Sequence, residues 1–193
     1  MRGYFAIGVE GISKAMNVGS LFRSAHAFGA SFVFTVAAAY PRREGAKSDT
    51  SDAPGNVPFY SFPDVQSLLL PKDCILVGVE LTDDAVELPA FRHPAQAAYV
   101  LGPERGRLSP ALSERCGFVV KIPTRFSLNL GIAGAIVMYD RLTSLGRYPR
   151  RPERPGGPTE ELAEHVFGDP KIRSKMEKFL DQPPADEEES GQN

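Results

Sequence analysis

The stretch IPTRFSLNLGIAGAIVMYDR, residues 122–141, decides the fold. It places a polar step, Ser127-Leu128-Asn129, between the strand-like run FVVKI (118–122) and an apolar segment that predicts the longest helix, 129–145. A strand feeding a helix through a polar turn is the unit of α/β architecture. Ser127 and Asn129 stand at the mouth of that helix, where unpaired N–H groups and aligned peptide dipoles can hold polar ligand atoms.

Working outward, four more short apolar runs match FVVKI: YFAIGV (4–9), SFVFTV (31–36), CILVGV (74–79) and AAYVLG (97–102). Runs that do not alternate with polar residues are the form taken by strands covered on both faces, so five strands of a parallel sheet are expected. Between the first two lies NVGSLFRSAHAFGA (17–30). There Val18, Leu21, Phe22, Ala25 and Phe28 recur at helical spacing, Ser20 and Arg23 fall on other faces, Asn17 is a natural N-cap and Gly29 a natural stop. FPDVQSLLLP and SPALSERCG read as short helices opened by Pro63 or Asp64 and by Ser109. Segments 40–58 and 81–96, rich in Gly, Pro and charge, read as loops.

At 193 residues with 42% hydrophobic composition, the chain has room for one domain and an appendage. The composition changes after Gly146, so 1–146 is expected as the domain and 147–193 as an appended arm. The arm opens on the Pro-rich RYPRRPERP, continues through short helices expected at 159–167 and 170–180, and ends in an acidic tail with no large apolar residue to offset its ordering. Removing the tail's Asp186, Glu187, Glu188 and Glu189 takes the formal charge from −2 to +2. Positive charge then collects at Arg42, Arg43 and Lys47, at Arg147, Arg150, Arg151 and Arg154, and at Lys171, Arg173, Lys175 and Lys178. Each cluster suits either a solvated face or nucleic-acid phosphates. Cys74 and Cys116 lack metal-ligand spacing and read as buried reduced thiols. Glu10 interrupts the first apolar run too early for a signal or membrane segment, and a soluble cytoplasmic protein is expected.

Three loops at strand ends or at the adjoining helix starts carry the unusual polar residues: NVGSLFR, GPERGRLS and TRFSLN. In open parallel sheets, ligands bind at such ends. Gly102 and Gly106 bracket Glu104 and Arg105, giving a backbone that can approach a ligand closely. The spacing matches neither the G-x-G-x-x-G fingerprint nor a loop ending in Gly-Lys-Ser/Thr, which counts against an NAD enzyme or an NTPase. His26, among Ala25, Ala27 and Phe28, reads as a packed structural histidine.

In this order, NVGSLFRSAHAFGA, LGPERGRLS and IPTRFSLNLGIAGAI resemble the three motifs of the SpoU (TrmH-type) branch of the SPOUT RNA methyltransferases, over roughly residues 4–145. The resemblance implies a parallel sheet flanked by helices with a C-terminal trefoil knot, a homodimer and bound S-adenosylmethionine. The reaction it implies is ribose 2′-O-methylation of tRNA or rRNA, and by analogy a minimal, extension-poor member fits a tRNA substrate better than rRNA. Carried over by position, Asn17 and Arg23 match the first motif's polar pair, Glu104 the second motif's carboxylate, and Ser127 and Asn129 the third motif's pair. Leu101, Gly102, Ile122 and Leu128 match positions that line the cofactor. One departure is the short loop Thr124-Arg125-Phe126, where many members carry a longer Gly-containing loop.

Methyl transfer from a sulfonium needs an in-line approach and removal of the nucleophile's proton, with no metal. The resemblance assigns the proton to Arg23's position. A guanidinium with a pKa above about 12 is a poor base, so Arg23 is read as positioning the 2′-OH and its neighbouring phosphate. A SPOUT-fold RNA-binding protein without catalysis and a base-nitrogen methyltransferase are the alternatives; the intact polar set and the first motif speak against them.

Overall fold

The computed structural model describes residues 3–11, 14–38, 56–103, 106–146, 148, 151–152 and 154–157. The chain divides into two compact units, Met1–Tyr148 and Pro149–Asn193. The helices expected at 159–167 and 170–180, the acidic tail, Arg42, Arg43, Lys47, Glu104, Arg105, Arg147 and Arg150 lie outside the described residues.

Among the described residues of the first unit, seven strands form one sheet: β1 (Tyr4–Glu10), β2 (Phe32–Val36), β3 (Phe59–Phe62), β4 (Ile75–Val79), β5 (Val86–Glu87), β6 (Gln96–Leu101) and β7 (Phe118–Lys121). Their order is β3-β2-β1-β6-β4-β7-β5, and every neighbouring pair is parallel. The five expected strands are all present. Helices α1 (Ala15–Ala27) and α3 (Leu130–Leu145) supply the core of one face, and α2 (Pro110–Arg115) contributes to the other.

The apolar runs need both covers. Along β6, Ala97, Tyr99 and Leu101 enter the core shared with α1 and α3, while Ala98 and Val100 enter the core shared with Leu108 and Leu112. Leu21 and Phe22 of α1 are fully buried, and burying a side chain of that size contributes roughly 1.5–3 kcal/mol. Helices α1 and α3 meet at Gly134: a Cβ there would lie 2.1 Å from Leu21 Cδ1, so any side chain would push the buried Leu21 aside. This close approach offsets the ~1 kcal/mol that a glycine costs inside a helix.

Four local expectations change. Helix α1 starts at Ala15 with the extended Lys14 as its N-cap, so Asn17 sits inside the first turn and is not the cap. Residues 63–70 form a turn in place of the expected helix: Ser67 N–H donates to Asp64 Oδ1 at 2.7 Å, and the Arg115 guanidinium takes the carbonyls of Val65 and Leu68. Those carbonyls are what a helix would have used for its own ladder. Segment 81–96 contains β5 and a single 3-10 turn, Leu88–Ala90, anchored by the buried Leu88. The edge strand β3 was not expected, because FYSF is too short and too exposed to stand out as a core run.

Candidate functional site

The sheet order puts β4 between β6 and β7, so the loops leaving all three strands converge at one end. There they enclose an open cleft of about 110 Å³. Leu101 and Gly102 supply one wall, Ile122, Ser127 and Leu128 the opposite wall, and Val79, Glu80 and Leu81 the floor between them. The structure thus brings together the four residues matched to cofactor positions and Ser127. Leu130 and Ala133 add the flank of α3.

Asn129 does not line the cleft. It is the N-cap of α3, its Oδ1 accepting the N–H groups of Gly131 at 2.9 Å and Ile132 at 3.4 Å. The first-motif residues lie on α1, and none of them lines the cleft. A Cβ on Gly131 would lie within 3.5 Å of both Asn129 Oδ1 and the Asn17 carbonyl, so the opening turns of α1 and α3 touch. Arg23 is solvent-exposed on α1, and His26 is partly buried in the helix's last turn. Glu104 is outside the described residues.

The short third-motif loop is held by Thr124, whose hydroxyl lies 2.9 Å from the Phe126 carbonyl and 3.3 Å from that of Ile122. Its tip exposes Arg125 and Phe126. Beneath it, Lys121 Nζ donates to the carbonyls of Thr82 and Asp83, both at 3.0 Å, tying the loop after β4 to the end of β7.

Two carboxylates were missed in the sequence. Glu10 ends β1 and Glu80 follows β4, and these are the two strands that flank β6. Both reach the loop that leaves β6. Glu10 accepts the Ser109 N–H at 2.7 Å and the Ser109 hydroxyl; Glu80 Oε2 accepts the Leu108 N–H at 2.9 Å. Successive N–H groups of the second-motif loop are therefore held from opposite sides. Ser109 also caps α2, its hydroxyl oxygen accepting from Leu112 N–H. The available signal was a carboxylate at the end of each apolar run, but partners 99 and 28 residues away were not visible.

Both cysteines are free thiols, and burial pushes Cys116 up to about 11. Among the described residues, no three His, Cys, Asp or Glu side chains converge as a metal site, and no helix is long and apolar enough to cross a membrane.

An open parallel sheet with a cleft between the outgoing loops of its middle strands, walled by the second and third motif loops, is the SPOUT-type α/β fold. The chain belongs to the SpoU rRNA Methylase family, whose model matches residues 4–139. Solved structures agree on the fold. The SpoU methyltransferase AviRb from Streptomyces viridochromogenes, in complex with the cofactor AdoMet, superposes with a TM-score of 0.67 at 22% identity, covering 74% of this chain and 58% of that one. An AdoMet-bound rRNA methyltransferase from Sinorhizobium meliloti gives 0.64 at 21% identity, covering 74% and 57%. This chain thus spans less than three-fifths of the length of either. A protein described for the 2-OH methylation of C/U34 on tRNA gives 0.63 at 20% identity, covering 75% of this chain and 98% of that one. A search of curated proteins by sequence finds no significant match.

Proposed function

We propose that this protein is an S-adenosylmethionine-dependent RNA ribose 2′-O-methyltransferase acting on tRNA, with 1–146 as its catalytic domain and 147–193 as an appended arm. The observation that carries the reading is the cleft: Leu101, Gly102, Ile122, Ser127 and Leu128, far apart in sequence, line one cavity. Its mix of aliphatic side chains, the Gly102 main chain and, among the described residues, the Glu80 carboxylate fits a nucleoside that carries a cation. When bound, the cofactor supplies an electrophilic methyl group on sulfur.

The residues of this chain do the rest. Leu101, Ile122 and Leu128 exclude water, and Gly102 leaves its backbone open to the ligand. Ser127 and Asn129 at the start of α3 serve the substrate side, and the Asn17 main-chain carbonyl lies beside Gly131 in the same turn. The exposed Arg23 holds the ribose hydroxyl and its adjacent phosphate, and Glu104 belongs to the same set. A C-terminal trefoil knot belongs to this reading as well.

The tRNA assignment draws on the 98% coverage of the protein described for C/U34 methylation, a chain with little beyond this domain. The rRNA alternative draws on the family's description and on the Sinorhizobium meliloti enzyme. Free thiols suit the reducing cytoplasm. Calorimetry on purified protein should show S-adenosylmethionine binding without added metal, and a deletion strain should lose a 2′-O-methyl mark in tRNA. A missing mark in rRNA would move the substrate, and absence of binding would overturn the reading.

We also propose a homodimer through α3. Ile132 and Tyr139 are 55% and 54% exposed on this helix, with the half-buried Ile136 between them. Water-facing residues of that size in one stripe fit a second copy better than solvent. Light scattering should give twice the 21.0 kDa chain mass, and a monomer at micromolar concentration would refute the dimer.

A further inference from the structure

Glu80 is the one charged side chain among the described residues that line the cleft. It stands at the middle of the floor, because β4 runs between the two strands whose loops form the walls. Its carboxylate is partly committed: Oε1 accepts the Leu81 N–H at 3.0 Å and Oε2 the Leu108 N–H at 2.9 Å. Two carboxylate oxygens together offer about four acceptor positions, so one on each oxygen remains. A Cβ on Gly102 would lie 3.1 Å from Oε2, which puts the carboxylate directly beside the wall glycine.

Glu10 gives the contrast. It clamps the same loop from the other side, but it is only 6% exposed, both its oxygens are taken up by Ser109, and it does not line the cleft. If holding the loop were the whole task, the pocket-side clamp would not need to face the ligand.

We infer that Glu80 recognises the vicinal diol of the ligand's ribose, one hydroxyl on each carboxylate oxygen. A group that only accepts hydrogen bonds selects a ligand that donates two side by side, and a carboxylate at a strand's C-terminal end is the group that binds ribose hydroxyls in dinucleotide folds. Its charge also repels a phosphate, so the cleft takes a nucleoside and rejects a nucleotide. Because Oε2 also holds Leu108 N–H, the diol and the second-motif loop share one anchor. The inference rests on the cofactor reading above.

The test is calorimetry with S-adenosylhomocysteine and its 2′-deoxy and 3′-deoxy counterparts. On the unaltered protein, each deletion should weaken binding about tenfold or more, the cost of losing a hydrogen bond to a charged group. Glu80→Ala should weaken the parent ligand and bring the parent-to-deoxy ratio close to one. Glu10→Ala, which removes a clamp but no lining group, should keep the ratio of the unaltered protein. Equal affinity of the unaltered protein for parent and deoxy ligands would overturn the inference, and that measurement needs no variant to fold. A Glu80→Ala protein that weakens all three ligands by one factor would reduce Glu80 to a loop clamp and overturn it equally. If the unaltered protein bound neither S-adenosylhomocysteine nor S-adenosylmethionine, the functional reading would fall first, and this inference with it.

Discussion

The two ends of the sheet handle polar groups in opposite ways. At the N-terminal end, Arg141 of α3 is 5% exposed and donates to the carbonyls of Tyr4, Pro94 and Ala95 and to the Tyr99 hydroxyl. His93 continues the network, with Nδ1 2.6 Å from the Tyr99 hydroxyl and Nε2 2.8 Å from Asp140 Oδ2. One proton arrangement satisfies every member: Arg141 donates to Tyr99, Tyr99 to His93 Nδ1, and His93 Nε2–H to Asp140. At the C-terminal end, Glu10 and Glu80 hold a loop, and Glu80 keeps a face toward an open cleft. A polar network closed on itself contributes to stability, whereas one with acceptors left over can bind. The same helix, α3, serves both ends: its last turns anchor the network and its first turn faces the site.

The comparison can be broken by substitution. The largest effect is expected from Arg141→Met, which strips four acceptors of a charged donor. It should cost about 2–4 kcal/mol in urea unfolding while the folded fraction keeps its affinity for S-adenosylmethionine. A matching loss of affinity would mean the two ends are coupled through α3. Leu128→Asp should do the reverse. An unpaired charge on the cleft wall should lower cofactor affinity by about a hundredfold or more, with unfolding free energy changed by less than about 1 kcal/mol. Unchanged binding would move the pocket elsewhere.

The smallest effect is on pH dependence. Burial lowers the pKa of His93 below its ordinary 6.5, with Asp140 opposing the shift. A base whose folded pKa is lowered binds protons more readily when unfolded. Its contribution to stability is therefore fully present above about pH 6.5 and is lost as pH falls through the native value. His93→Gln should flatten that part of the curve of unfolding free energy against pH. If the variant's curve ran parallel to the unaltered protein's between pH 8 and 5, His93 would not be held neutral by its surroundings.

Legibility in the sequence followed the range of the interaction concerned. The five core strands and the apolar face of α1 were readable because burial on both faces or on one stripe leaves a pattern within a few residues. Helix α2 was readable from Ser109, whose hydroxyl caps a turn three residues on. The turn at 63–70 was misread because its helical pattern is local, while the guanidinium that claims its carbonyls comes from Arg115, 50 and 47 residues away. Asn17 was displaced from its expected cap position by a helix that begins two residues earlier, at Ala15.

By itself, the sequence determined the α/β class, most of the element order and two of the loops that line the cleft, since each depends on neighbours in the chain. Only the tertiary structure decided that β4 runs between β6 and β7, that Glu10 and Glu80 close on one loop from opposite sides, and that Arg141 and His93 belong to the closed end. Those facts depend on strand order and on hydrogen bonds spanning 28 to 137 residues, for which a chain carries no local signal.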